Sequence, residues 1–84
     1  MTKFNDLVSL IHKTRSKDLL ENLLLGLTTS HERRVLTRRV DIVKRLIAGQ
    51  PQQNIAQDLR VGVSTVTRGA RELERGYFKV LKNK

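Results

Sequence analysis

Gln52-Gln53-Asn54-Ile55-Ala56-Gln57-Asp58-Leu59-Arg60-Val61-Gly62-Val63-Ser64-Thr65-Val66-Thr67-Arg68-Gly69 is the stretch on which the fold turns. Gln50-Pro51 just ahead of it suits entry into a helix, because a proline at or near the first helical position gives up only an N–H that has no partner there. Ile55 and Leu59 are four apart and share one helix face, and Ala56 is small where two helices cross closely. Val61 fits as a plug in a turn and Val66 as an anchor beneath a second helix. The spacing predicts two short helices, about 52–59 and 63–75, around a turn of three or four residues, the pattern of a helix-turn-helix. Ser64, Thr65, Thr67 and Arg68 are left for solvent at the start of the second helix. Short hydrogen-bonding side chains there let a helix approach base edges in the major groove, which is about 12 Å wide. Taken one at a time, the hydroxyls read equally as helix caps contacting water, so the charge of the chain has to decide.

That charge points to a polyanion. The 84 residues carry 17 Lys and Arg against 8 Asp and Glu, a formal +9. Residues 1–29 hold four basic and three acidic side chains, whereas residues 30–84 hold 13 and 5, so the excess lies with the helix-turn-helix. A field of this sign favours nucleic acid first and an anionic membrane second over basic partners. Cysteine is absent, which removes disulfides and thiolate metal sites. The longest apolar clusters, Leu19-Leu20 and Leu23-Leu24-Leu25, fall far short of the roughly 18–20 residues that span a bilayer, and the N-terminus lacks the order of a signal peptide. A cytoplasmic protein without membrane attachment is expected.

Upstream the pattern is helical as well, and no sheet is expected. Phe4, Leu7, Val8 and Ile11 recur at spacings of three and four and form one stripe over about 3–14. A second helix over about 17–25 places Asp18 and Glu21 near its positive pole and Leu19, Leu20, Leu23, Leu24 and Leu25 around more than one face, so it requires two partners. Gly26 offers a left-handed residue to close it. Thr29-Ser30-His31-Glu32 fits a capping box, which starts a third helix at Ser30 that runs to about Ala48 and stops at Gly49. Its expected core contacts are Val35, Leu36, Val40, Val43, Leu46 and Ile47, and it also bears Arg33, Arg34, Arg38, Arg39, Lys44 and Arg45. Only three aromatics, Phe4, Tyr77 and Phe78, are available, so a core of one chain alone is thin.

Leu27-Thr28-Thr29-Ser30-His31-Glu32-Arg33, Arg39-Val40-Asp41-Ile42-Val43 with Leu46-Ile47-Ala48-Gly49, and Val63-Ser64-Thr65-Val66-Thr67-Arg68-Gly69 together resemble the tryptophan repressor family, over about Leu19 to Leu73. The last of these is the most specific, since a generic helix-turn-helix has no need of Thr-Arg-Gly after its recognition residues. The resemblance implies an all-α fold of short helices with a C-terminal helix-turn-helix, in an intertwined homodimer. It makes 1–84 a single DNA-binding domain with dimerisation helices in 1–48, the helix-turn-helix in 52–75 and a short C-terminal helix in 76–84. It also implies L-tryptophan as corepressor, held between Arg39 and Arg68, with Gly69 leaving room for the ring and the partner chain's turn at Leu27, Thr28 and Thr29 supplying carbonyls to the ammonium group. The physics suits that role, because planar guanidinium groups both stack on aromatic rings and pair with carboxylates. By the same resemblance Gln52, Gln53, Val63, Ser64, Thr65 and Thr67 face DNA, with largely water-mediated base contacts.

The chain departs from the family at several points. Glu72 stands where a serine is usual beside the ligand, and it has two open roles, accepting the ligand's ammonium or pairing with Arg68. Gly26 and Thr28 replace bulky aliphatics, and Arg60 replaces a turn glycine. Glu74 lies near the place of a phosphate-binding lysine, which leaves phosphate contact to Arg71 and Arg75. His12 and His31 lack the clustering of metal ligands, and Ser30, His31 and Glu32 diverge on a helix, so neither a metal site nor an enzyme is expected. Tyr77-Phe78-Lys79-Val80-Leu81-Lys82-Asn83-Lys84 is expected to pack over a dimer core, with the last lysines in solvent.

The expected function is a repressor of tryptophan biosynthesis or uptake genes that binds a pseudo-palindromic operator as a homodimer. One alternative is a regulator of the same fold that is constitutive or answers another small effector. Another is a basic helical module for RNA or an acidic protein.

Overall fold

The computed structural model describes residues 1–82, and every regular element among them is helical. The order is α1 (Phe4–Lys13), α2 (Lys17–Leu27), α3 (Ser30–Ile47), α4 (Gln52–Leu59), α5 (Val63–Glu74) and α6 (Lys79–Lys82). The chain divides into two compact units, Met1–Arg33 and the residues from Arg34 onward.

In the first unit the ends of the helices are fixed by local chemistry. The Lys3 N–H donates to Asp6 Oδ2 at 2.8 Å, and Ser16 Oγ accepts from the Leu19 N–H at 3.3 Å, which satisfies donors that helix starts leave open. The capping box ahead of α3 forms as the sequence predicts: the Thr29 N–H donates to Glu32 Oε1 at 2.8 Å and the Glu32 N–H to Thr29 Oγ1 at 3.1 Å. These bonds, the backbone one first, hold the Glu32 carboxyl below its ordinary pKa. The predicted stop at Gly26 does not occur. α2 continues through Gly26 to Leu27 and ends at an extended Thr28, whose N–H and hydroxyl both donate to the Leu24 carbonyl. The threonine side chain supplies the terminating bond, so no left-handed residue is required there.

No side chain of α1 or α2 is buried. Leu7, Ile11, Leu20 and Leu23 are half-buried, while Phe4, Val8, Leu10, Leu19, Leu24, Leu25 and Leu27 are exposed.

The second unit has a core. Ile42, Ile55 and Val66 form one cluster, with Leu46, Ala56, Leu59 and Val61 packed against it. Ile55 and Val66 are both 0% exposed, as their spacing predicts. The reading of α3 needs correction. Ile42 and Val43 are its buried residues, whereas Leu36, Val40 and Ile47, expected in the core, are exposed. α3 carries two apolar stripes: Val35, Ile42 and Leu46 lie along one face, and Leu36, Val40, Val43 and Ile47 along the next. Periodicity alone does not tell which stripe meets the rest of the chain. The C-terminal helix, expected over 76–84, begins only at Lys79 and is described to Lys82, while Asn83 and Lys84 lie outside the described residues.

Three helices of this unit end in the same way. After α3 the Gly49 N–H bonds to the Leu46 carbonyl and the Gln50 N–H to that of Arg45. After α4 the Arg60 N–H bonds to Gln57 and the Val61 N–H to Ala56, and after α5 the Gly76 N–H bonds to Leu73 and the Tyr77 N–H to Glu72. Each is a Schellman closure around one left-handed residue. Two use glycine, Gly49 at φ 89° and Gly76 at φ 86°, but the turn between α4 and α5 uses Arg60 at φ 56°.

Candidate ligand cavity and nucleic-acid face

The sequence places Val35, Arg38, Arg39 and Ile42 at intervals of three and four on α3, and Thr65, Arg68, Gly69 and Glu72 at the same intervals on α5. Each set therefore occupies one helix face. The two faces line a single cavity of about 410 Å³, to which Val43, Tyr77 and Phe78 also contribute. α5 packs against α3 at Gly69. A Cβ added there would stand 3.1 Å from Ile42 Cγ2 and 3.8 Å from Leu46 Cδ1. The glycine thus serves first to let the helices approach, and the cavity opens beside that contact.

Four of the residues expected at the ligand, Arg39, Arg68, Gly69 and Glu72, are brought together on this wall. The cavity holds three guanidinium groups, Arg38, Arg39 and Arg68, and one carboxylate. Among the described residues none of those three guanidiniums has an ion-pair or hydrogen-bond partner. Glu72 does not pair with Arg68, the partner within the chain proposed for it from sequence: its Oε1 accepts from Arg75 Nη1 at 3.0 Å. Arg68 is thereby left available to an anionic ligand. Leu27, Thr28 and Thr29 belong to the first unit, where the Thr28 carbonyl already accepts from Arg33 Nη1 at 2.7 Å.

The residues expected to face DNA fall into two groups. Val63, Ser64, Thr65 and Arg71 are exposed on α5, and Gln53 is exposed on α4. Gln52 and Thr67 are half-buried and bonded to each other, Thr67 Oγ1 donating to Gln52 Oε1 at 2.7 Å. That bond joins the start of α4 to α5 and fixes the angle at which the exposed hydroxyls are offered. A second tie holds the other end of α4: Asp58 Oδ2 accepts from Gln50 Nε2 at 2.9 Å and from Arg45 Nη1 at 3.4 Å, while Arg45 Nε bonds Asp41 at 3.1 Å. Arg45 is therefore a structural residue, and Arg38 and Arg39, nearly two turns earlier, line the cavity.

Thr65 belongs to both surfaces, being exposed near the start of α5 and lining the cavity. Tyr77 and Phe78 were missed as cavity residues. The signal available in the sequence was Gly76, since a glycine closing α5 turns the chain back toward the helix it has left.

Among the described residues no group of histidines and carboxylates could hold a metal ion, and no helix is long and apolar enough to cross a membrane.

A family model described as Trp repressor protein matches residues 2–82. The chain is 40% identical over 72 residues to a Trp operon repressor homolog of Vibrio campbellii, spanning 84% of this chain and 72% of that protein. It is 38% identical over 74 residues to the corresponding homolog of Vibrio vulnificus and 36% identical over 74 residues to that of Vibrio cholerae, in both cases spanning 87% of this chain and 72% of the relative. No solved structure matches the chain significantly.

Proposed function

The chain belongs to the Trp repressor family, DNA-binding regulators rather than enzymes, and from that premise we propose a homodimeric repressor that takes L-tryptophan as corepressor. Its targets are tryptophan biosynthesis or uptake genes with pseudo-palindromic operators. The observation that carries the ligand is the cavity in which Arg39 and Arg68, both without partners among the described residues, stand beside the aliphatic Val35 and Ile42. An indole ring lies between the guanidinium planes, where cation–π attraction contributes about 0.5–2 kcal/mol per contact, and a guanidinium pairs with the carboxylate. The partner's Leu27–Thr29 turn approaches the ammonium end.

No bond is made or broken in this mechanism. Two copies of α5 must enter successive major grooves about 34 Å apart. Arg68 and Thr65 are three residues apart on one helix, so a ligand gripped by the first constrains the groove approach of the second. Ligand binding favours the population in which both helices are correctly spaced. Ser64, Thr65, Gln53 and Val63 meet base edges or their bridging waters, and Arg71 meets phosphate. The bonded pair Gln52–Thr67 presents its remaining donors at the same surface.

Calorimetric titration with L-tryptophan, with and without a selected duplex, tests the proposal. Arg39→Ala and Arg68→Ala should each abolish tryptophan-dependent operator binding while helicity is retained. A normal response in both variants would reject the cavity as the corepressor site. Thr65→Ala should lower affinity for operator more than for random duplex, and equal losses on both would argue against base reading. Glu72 on the cavity wall favours one competing reading, a regulator that is constitutive or answers another small effector. Operator binding that is tight without tryptophan and unchanged by it would select that reading.

A further inference from the structure

Tyr77 has no role in the function as argued so far, yet the turn that follows α5 ties its backbone to that helix. The closure of α5 fixes its backbone: Arg75 ends the helix, Gly76 turns at φ 86°, and the Tyr77 N–H bonds back to the Glu72 carbonyl. Glu72 in turn lines the cavity and is tied through its side chain to Arg75. Tyr77 lines the cavity while remaining 69% exposed, and Phe78 beside it is half-buried and lines it as well. A large aromatic side chain left mostly in water at the edge of a cavity lined by unpartnered guanidiniums lacks a packing reason in this chain. An aromatic guest supplies one, because rings gain from offset or edge-to-face contact beyond the area they bury, and a phenol keeps its hydroxyl wet while its body is covered.

We propose that the Tyr77 ring is a wall of the binding site that touches the bound aromatic ligand, an inference that rests on the corepressor reading above. Arg39 and Arg68 then determine that the ligand is flat and anionic, and Tyr77 adds preference for an aromatic over an aliphatic side chain of similar bulk. The contact is independent of Gly69, which is occupied with the packing of α5 on Ile42.

The composition of the chain makes the contact directly measurable. Tyr77 is the sole tyrosine and tryptophan is absent, so the phenol ring protons and those of added L-tryptophan are distinct in an NMR spectrum. Saturating the protein with L-tryptophan should produce intermolecular Overhauser cross-peaks between the Tyr77 ring and the indole. Tyr77→Leu, which keeps an apolar side chain but removes the ring, should weaken L-tryptophan binding by roughly two- to tenfold in calorimetry, and Tyr77→Phe should stay within about twofold of the parent. Circular dichroism should show unchanged helicity in both variants, since the side chain is mostly in solvent. Binding heat without cross-peaks, or with undiminished affinity in Tyr77→Leu, overturns this inference and leaves the corepressor reading standing. Equal weakening in the Phe and Leu variants also overturns it, because the hydroxyl and not the ring would then be responsible. Absence of both heat and cross-peaks in the parent protein overturns the corepressor reading and this inference with it.

Discussion

The two units of this chain are built on different terms. From Arg34 onward, Ile42, Val43, Ile55 and Val66 are withdrawn from water and three helices close with the same backbone motif. Before Arg34, α1 and α2 are capped with equal care but bury no side chain fully, and seven large apolar side chains of those helices stay exposed. Hydrogen bonds at helix ends define where a helix starts and stops, but they add little net stability, and isolated helices of ten or eleven residues are marginal in water. The comparison teaches that local order and tertiary stability are separately encoded: the second unit has both, and the first has the former and lacks a partner surface for the latter. A second copy supplies that surface in the homodimer proposed above. The exposed stripe Leu36, Val40 and Ile47 on α3 is a further apolar face that the same copy can cover.

The strongest way to break this contrast is to damage the core. Ile55→Ala should cost about 3 kcal/mol in urea unfolding, since a fully buried isoleucine loses both transfer energy and packing. A cost below about 0.5 kcal/mol, typical of surface positions, would mean that the second unit has no real core. Leu25→Ala tests the first unit. If a second copy covers α2, the substitution should cost about 2 kcal/mol and the parent's thermal midpoint should rise with protein concentration. A concentration-independent midpoint with a negligible mutational cost would leave those leucines in water.

Smaller effects sharpen the comparison. Arg60→Gly should stabilise by about 1 kcal/mol, visible as a higher thermal midpoint, because the left-handed turn at φ 56° strains any residue with a Cβ. A drop in midpoint would show that the arginine side chain contributes more than its backbone costs. The smallest effect belongs to Glu32. Hydrogen bonds from Thr29 depress its folded pKa, so its stabilising contribution is present above the unfolded value of about 4.3 and is lost as pH falls through the folded value. Glu32→Gln should flatten the acid side of the stability profile measured by circular dichroism between about pH 6 and about pH 3. An unchanged slope would assign the acid sensitivity to other carboxylates.

Much of the fold was legible from spacing and punctuation. Pro51, the pair Ile55 and Leu59, and Val66 predict α4 over its full observed length and α5 to within one residue. Thr29 and Glu32 predict the start of α3 to the residue. The failures have a common cause. Gly26 was read as a helix stop, yet the chain passed through it because Thr28 could bond back to Leu24. On α3 the expected core contacts Val35, Val43 and Leu46 are buried or half-buried, whereas Leu36, Val40 and Ile47 are exposed and Ile42 takes a core place the spacing does not assign to it, because both stripes have helical spacing and only packing chooses between them. At the site, Arg39, Arg68, Gly69 and Glu72 were recognisable from their motifs, while Tyr77 and Phe78 lie beyond a turn whose direction no periodicity reports.

The amino-acid sequence by itself determined most of the helices, the capping box that starts α3 and the excess of positive charge toward the C-terminal half. These follow from nearest-neighbour chemistry, hydrogen bonds across three or four residues and the angular period of a helix, all of which are local. Tertiary structure alone decided which face of α3 meets α5, that Gln52 and Thr67 bind each other, that Glu72 is held by Arg75 while Arg68 stays available, and that an aromatic pair closes the cavity. Those outcomes depend on contacts between segments far apart in the chain, where packing selects among faces that the local signals leave equivalent.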